Sequence, residues 1–312
     1  MSQNQPSILI ADEMHSSLFA MLDTAGFTYT YLPKITRAEL LAQLAPFDGL
    51  IIRSKTTVDE EVLRQAPRLR FVGRAGAGLD LIDLDATEQR AIRVFHAGEG
   101  NRDAVAEHVV GMLLGLLANI LKADREVRQG IWDREGNRGY ELGGLTVGLV
   151  GYGNNGHATA QRLSGFGCRV LTYDKFLTNY GDSYAEEATM GQIMDDADVL
   201  SLHVPLTDDT RMMINDTFIE RFNKPFYLIS AARGEITSLS AVVRGLESGK
   251  IRGACLDVLE NEKLAKLTPE QQADFDYLRQ SDRVVLTPHI AGWTHESYVR
   301  INEVLVRQLK EI

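Results

Sequence analysis

Two groups of residues in this 312-residue chain have types and spacings that can do chemistry. The first is Gly151, Gly153 and Gly156, a G-x-G-x-x-G pattern that also contains Tyr152, Asn154 and Asn155. The apolar stretch 145–150 precedes it and reads as a buried strand. The stretch 156–163 follows it and reads as a helix. A second strand over 169–174 ends in Asp174. Strand, glycine turn, helix, strand and acid in that order make a dinucleotide-binding unit. Gly151 permits the tight turn, Gly153 the approach of the backbone to the pyrophosphate, and Gly156 the close packing of helix on strand. The helix N-terminus faces the phosphate charge. Asp174 can accept hydrogen bonds from the adenosine ribose, and its charge repels a 2′-phosphate, so NAD is expected rather than NADP. Lys175 works against that preference. Asn155 stands where the pattern favours an apolar residue.

The second group is Arg233, Glu262 and His289, ionisable residues at or beyond the ends of expected strands. In a doubly wound sheet the carboxyl ends of the strands form the ligand crevice. An arginine, a carboxylate and an imidazole are therefore expected at that crevice. Glu260 competes with Glu262 for the acidic role. His203 reads as a nucleotide-crevice residue and His295 as the start of the final helix, while His15, His96, His108 and His157 lie in no matching motif. No H-x-x-x-H pair and no carboxylate cluster has the spacing of metal ligands, so no metal is expected.

The elements that must position these groups alternate. Residues 7–11, 49–52 and 69–72 read as strands, and 16–25, 37–44, 59–66 and 81–90 as helices. These form a first α/β unit. Residues 104–129 read as one long helix, whose apolar run Val109–Leu121 is expected to be buried, at a subunit contact or elsewhere. The later strands are expected at 199–203, 226–230, 253–257 and 284–287. Residues 260–280 read as a charged surface excursion with a helix start at Thr268 and Pro269. The final helix, 295–311, is expected to return to the first unit. The fold class is therefore α/β, with two Rossmann-like doubly wound parallel-sheet domains. A nucleotide-binding domain (100–289) is inserted into a substrate domain (1–99 plus 290–312).

Composition bounds the function. A chain of this length fits two domains. A net charge of −10 argues against nucleic acid or an anionic membrane as partner. No apolar run is long enough to span a bilayer, and residues 1–6 lack the pattern of a signal peptide. Two cysteines, Cys168 and Cys255, make no disulfide framework and fit a reducing cytoplasm.

The segments 52–56, 72–80, the glycine turn, 203–206, 231–234, 253–258 and 287–291 together resemble the D-isomer-specific 2-hydroxyacid dehydrogenases over essentially the whole chain. Within them they are most similar to the phosphoglycerate branch without its C-terminal regulatory domain. The resemblance implies that Arg233 binds the substrate carboxylate and polarises the reacting oxygen. It implies that His289 is the general acid/base and that Glu262 holds it and raises its pKa. It places Asp257 near the nicotinamide, and Ala77, His203, Val204, Pro205, Ala231, Ala232, Arg233, His289, Ala291 and Gly292 around NAD with the glycine turn. It gives Arg53, Ser54, Arg74, Gly76, Ala77 and Gly78 to the substrate, with Arg53 and Arg74 facing a phosphate. A small anionic 2-hydroxy or 2-oxo acid and a homodimer through the coenzyme domain follow from it. So does the expectation that no regulatory module follows Ile312. The chain departs from the family at Ser230, where Asn is usual, and at Lys263 and Leu264, where a proline is expected.

Oxidation of D-3-phosphoglycerate is the leading expectation. A hydroxypyruvate or glyoxylate reductase shares every reacting group. A nucleotide-sensing scaffold or corepressor-like binding protein is the alternative of another class, disfavoured by the intact Arg233, Glu262 and His289.

Overall fold

The computed structural model describes residues 6–312, so residues 1–5, on which the signal-peptide expectation partly rests, lie outside it. The chain divides into two compact units. One ends at Arg102 and resumes at Trp293–Ile312; the other is Asp103–Gly292.

The first unit runs β1 (Ser7–Ile10), α1 (Ser17–Ala25), β2 (Thr28–Tyr31), α2 (Arg37–Gln43), β3 (Gly49–Ile52), α3 (Glu60–Arg64), β4 (Phe71–Arg74), α4 (Leu84–Gln89) and β5 (Arg93–His96). Its sheet has the order β2-β1-β3-β4-β5, and every pair is parallel. Side chains alternate between faces, as a strand requires. Leu9, Leu50, Ile52 and Val72 bury into one apolar layer; Ile8, Ile10, Ile51 and Phe71 bury into the other. β2 and β5 escape the sequence reading because they are edge strands with half-exposed, less apolar patterns. β4 starts two residues later than expected, since Leu69 N still closes a turn onto Ala66 O at 3.1 Å.

The second unit follows with α5 (Arg102–Leu117), α6 (Ile120–Arg128), β6 (Thr146–Val150), α7 (Asn154–Leu163), β7 (Arg169–Tyr173), β8 (Glu186–Glu187), α8 (Met190–Asp196), β9 (Val199–Leu202), α9 (Asp216–Glu220), β10 (Phe226–Ser230), α10 (Leu239–Ser248), β11 (Ile251–Leu256), α11 (Pro269–Gln280) and β12 (Val284–Leu286). Its sheet has the order β12-β11-β10-β9-β6-β7-β8. Because all pairs are parallel, the carboxyl ends of the strands share one edge. The order reverses at β6, between β9 and β7, which is where such a sheet opens a ligand crevice. Helix α11 starts as expected, with a Thr268–Gln271 capping box and Pro269 in its first turn.

One expectation is corrected. Residues 104–129 are not one helix: α5 and α6 meet at a bend of 62°. Asn119 adopts φ +53, a left-handed conformation that asparagine tolerates and a continuing helix does not. Its side-chain amide donates to Arg138 O at 3.2 Å, and Tyr140 N donates to Leu117 O at 2.9 Å, so a returning strand of chain occupies the place of the next turn. The apolar run therefore splits. Val109, Val110, Met112, Leu113, Leu116 and Leu117 are buried, whereas Ile120 and Leu121 are half-exposed. Among the described residues no single helix is long and apolar enough to cross a membrane.

The last helix, α12 (His295–Leu309), belongs to the first unit. It places Leu305, Val306 and Leu309 in the apolar layer that contains Leu18 and Leu22 of α1.

Candidate active site

The glycine turn leaves β6 at its carboxyl end. Gly151 has φ +96, and a Cβ there would lie 2.7 Å from His203 O, so only glycine fits. A Cβ on Gly156 would lie 2.1 Å from Gly151 O, which is the close packing of α7 on the turn. Apart from its immediate chain neighbours, no heavy atom of the described residues lies within 4 Å of the place a Cβ would take on Gly153. Gly153 caps α7 without a side chain, and the first helical bond is His157 N to Gly153 O at 3.0 Å. The amides of Asn154, Asn155 and Gly156 therefore have no acceptor within the helix. An open backbone cradle with outward amides at a helix N-terminus suits a pyrophosphate.

Asp174 stands one residue past β7 and is already oriented. Its Oδ2 accepts from Tyr152 N and its Oδ1 from Phe176 N, both at 2.9 Å. Lone pairs remain for ribose hydroxyls. Lys175, beside Asp174, pairs with Asp209 at 2.6 Å. Asn155 keeps its place in α7 while its Oδ1 is buried without a partner, as is the Ser230 hydroxyl. Tyr152 inside the turn donates to Asp182 at 2.9 Å, and His157 of α7 contacts the same carboxylate at 3.1 Å. Asp182 thus ties turn and helix together. These residues fit a dinucleotide.

His203, Val204 and Pro205 leave β9 toward the same edge. His203 N donates to Val150 O at 2.8 Å, and its Nε2 meets Ser201 Oγ at 2.9 Å. Burial pulls its imidazole down to about 4, so it is neutral at physiological pH. Ala231 and Ala232 leave β10 and lead to Arg233, an extended residue ahead of a short 3-10 turn. Its Nη1 donates to Ala232 O at 2.7 Å.

Glu262 and His289 meet: Nδ1 of His289 and Oε1 of Glu262 are 2.9 Å apart. Glu260 is engaged elsewhere, accepting from Leu239 N at 3.3 Å. The hydrogen bond that His289 donates to Glu262 raises the His289 pKa; partial burial and the Arg233 charge act against it without reversing it. Arg233 is thus close enough to be felt by the imidazole. His289 itself has φ +56, a conformation that costs a non-glycine residue about 1–3 kcal/mol.

Asp257 holds it there. This carboxylate is 1% exposed. It accepts from Ile290 N at 2.8 Å, Ala291 N at 2.9 Å and Thr287 Oγ1 at 2.6 Å, while Asp257 O accepts from His289 N at 2.7 Å. Burial would raise its pKa, but bonds from His108, Thr287, Ile290 and Ala291 outweigh burial and keep it below the usual value. His108, unassigned from sequence, reaches from α5 to Thr287 Oγ1 at 3.0 Å and to Asp257 at 3.5 Å. Its one sequence signal is a polar residue within a largely apolar helix.

In the first unit, Arg53 and Ser54 follow β3. Arg74 ends β4 and donates from Nη1 to Ala75 O at 3.2 Å. Gly76, with φ +152, starts the turn that carries Ala77 and Gly78. Ile52 and Arg74 are register partners on adjacent parallel strands, so Arg53 and Arg74 stand at the same edge of the first sheet.

A family model described as D-isomer specific 2-hydroxyacid dehydrogenase, NAD binding domain, matches residues 110–291. The chain is 31% identical over 307 residues to the D-3-phosphoglycerate dehydrogenase of Archaeoglobus fulgidus, covering 97% of this chain and 56% of that protein. It is 37% identical over 281 residues to the glyoxylate reductase of Thermofilum pendens, covering 88% and 80%. The D-lactate dehydrogenase of Aquifex aeolicus, solved with NAD and lactic acid, superposes with a TM-score of 0.82 at 26% identity, over 97% of this chain and 94% of that one. The chain spans about half the length of the phosphoglycerate dehydrogenases it matches.

Proposed function

The chain belongs to the D-isomer specific 2-hydroxyacid dehydrogenase family, and from that premise we propose that it moves hydride between a D-2-hydroxy acid and NAD. The proposed pair is D-3-phosphoglycerate and 3-phosphohydroxypyruvate, in the supply of serine. The observation that carries the reading is the 2.9 Å contact between His289 and Glu262 within the field of Arg233. With Nδ1 held by Glu262, Nε2 of His289 is the nitrogen left to exchange a proton with the C2 oxygen. Arg233 binds the C1 carboxylate through its fork and polarises that oxygen. The bound nicotinamide supplies or accepts the hydride. Glu262 stabilises the imidazolium present before reduction and after oxidation.

For the cofactor we assign the glycine turn to the pyrophosphate and Asp174 to the adenosine ribose. Ala77, His203, Val204, Pro205, Ala231, Ala232, Asp257, Ala291 and Gly292 are assigned to the surrounding contacts. For the substrate, Arg53, Ser54, Arg74, Gly76, Ala77 and Gly78 are assigned with Arg233, the two arginines taking the phosphate.

The similarity to a glyoxylate reductase supports a second reading, a reductase of unphosphorylated 2-oxo acids. NADH oxidation followed with 3-phosphohydroxypyruvate, hydroxypyruvate and glyoxylate, for wild type and Arg74→Ala, separates the two. Preference for the phosphorylated acid that falls in Arg74→Ala is expected. Better turnover of the other two would replace the first reading with the second.

We further propose a homodimer through the second unit, supported by the exposed apolar side chains Ile120, Leu121, Val127, Ile131, Trp132 and Tyr140. A reducing cytoplasmic location is supported by the free thiols of Cys168 and Cys255.

A further inference from the structure

Asp12 is a carboxylate at the carboxyl end of β1 that is 1% exposed. Its Oδ2 accepts from the backbone of Arg53 at 2.6 Å, Lys55 at 3.0 Å and Thr56 at 3.3 Å. Its Oδ1 accepts from the Thr56 hydroxyl at 2.5 Å. A buried charge is costly unless it is saturated with donors. Here every donor comes from the segment after β3, so Asp12 sets the backbone from which Arg53 projects. Lys55 is spent on the same scaffold, donating to Ala11 O, Pro33 O and Ile35 O.

The Arg53 side chain is set independently. Its Cζ lies 4.5 Å from the ring centre of Trp293 and 4.5 Å from that of Tyr298. The two rings are 5.1 Å apart at 77° to each other, so the guanidinium sits in a corner of aromatic faces. Nη2 donates to the Tyr298 hydroxyl, and Nη1 approaches Glu13 O at 3.5 Å. A guanidinium has five N–H donors, and these contacts leave the majority for an anion. A cation stacked on rings keeps its charge while losing its mobility, and a receptor ordered beforehand binds more tightly than one ordered on binding.

We propose that Asp12, Trp293 and Tyr298 are positioning residues that fix Arg53 as a preformed receptor for the anionic group at the far end of the substrate, and so set the preference for phosphorylated over unphosphorylated acids. This rests on the substrate reading above. It makes Trp293, not an arginine alone, a determinant of specificity.

The test is steady-state kinetics of wild type, Trp293→Ala, Tyr298→Phe, Asp12→Asn and Arg53→Ala with 3-phosphohydroxypyruvate and hydroxypyruvate, and of the double variant Trp293→Ala/Arg53→Ala. Trp293→Ala and Tyr298→Phe are expected to raise KM for the phosphorylated acid by roughly threefold to thirtyfold, with kcat and the hydroxypyruvate KM held within about twofold. Trp293→Ala should add nothing to Arg53→Ala, because it acts through that residue. If wild type discriminates between the acids and the single variants discriminate equally well, the proposal is overturned while the substrate reading stands. If wild type does not discriminate, the substrate reading falls. The receptor is then decided by titrating inorganic phosphate into Trp132→Phe, in which Trp293 is the remaining tryptophan. A change in its emission that is lost with Arg53→Ala supports the receptor; no change overturns it.

Discussion

His289 and Glu262 make the sharpest statement at the scale of single residues. On the proposed reading, reduction of the oxo acid needs the His289 imidazole protonated, and the bond to Glu262 raises its pKa. The reductive kcat/KM should therefore fall as pH rises through that raised value. Glu262→Gln removes the charge and lowers the imidazole pKa, so the falling limb should move to lower pH. A pH profile of NADH-dependent reduction checks this, and an unmoved limb would remove Glu262 from the role. His289→Asn should lower kcat by about 10²–10⁴-fold, the usual worth of a general acid. Asp174→Ala should weaken NAD about tenfold or more, the loss of a charged hydrogen bond, and narrow the preference over NADP, which a titration with both nucleotides reads. Lys175, the residue expected to soften that preference, pairs on the surface with Asp209 at 2.6 Å.

At the scale of elements, the loops matter more than the strands that carry them. Each unit uses a buried aspartate just past a strand, Asp12 in one and Asp257 in the other, to gather the amides of a loop. In the second unit this grip holds His289 at φ +56. The bend between α5 and α6 depends on a left-handed Asn119. Asn119→Gly should leave stability nearly unchanged, whereas Asn119→Leu should cost about 1–2 kcal/mol, measured by urea unfolding. Helix α12 is held by its apolar face. Leu305 is fully buried between the sheet and α1, and Leu305→Ala should cost about 2–5 kcal/mol.

At the scale of the whole molecule, binding and association should both be visible in stability. NAD at about 100 times its Kd should stabilise the protein by about 2.7 kcal/mol, and Asp174→Ala should need correspondingly more nucleotide for the same rise in Tm. If the exposed apolar set around α6 is covered by a second copy, Ile120→Asp with Leu121→Asp should shift the sedimentation coefficient to that of a monomer. A wild type that already sediments as a monomer would remove the dimer.

What the sequence determined by itself is local or periodic. The glycine turn, Asp174 beyond the next strand and the alternation of strand and helix can be read in one dimension, because turn geometry and side-chain period depend on near neighbours. The group Arg233, Glu262 and His289 was legible as residues near strand ends, since parallel topology puts those ends on one edge. Tertiary structure decided the rest. It set Glu262, the acid the family spacing already favoured, on His289 and left Glu260 on Leu239. It broke the 104–129 helix, because the chain that displaces its next turn comes from Arg138 and Tyr140. It recruited Asp12 across 41 residues and Tyr298 across 245 to the same arginine. No local pattern marks such partners, because what joins them is the buried carboxylate's need for donors and the stacking of a cation on rings, and both arise only once the chain has folded.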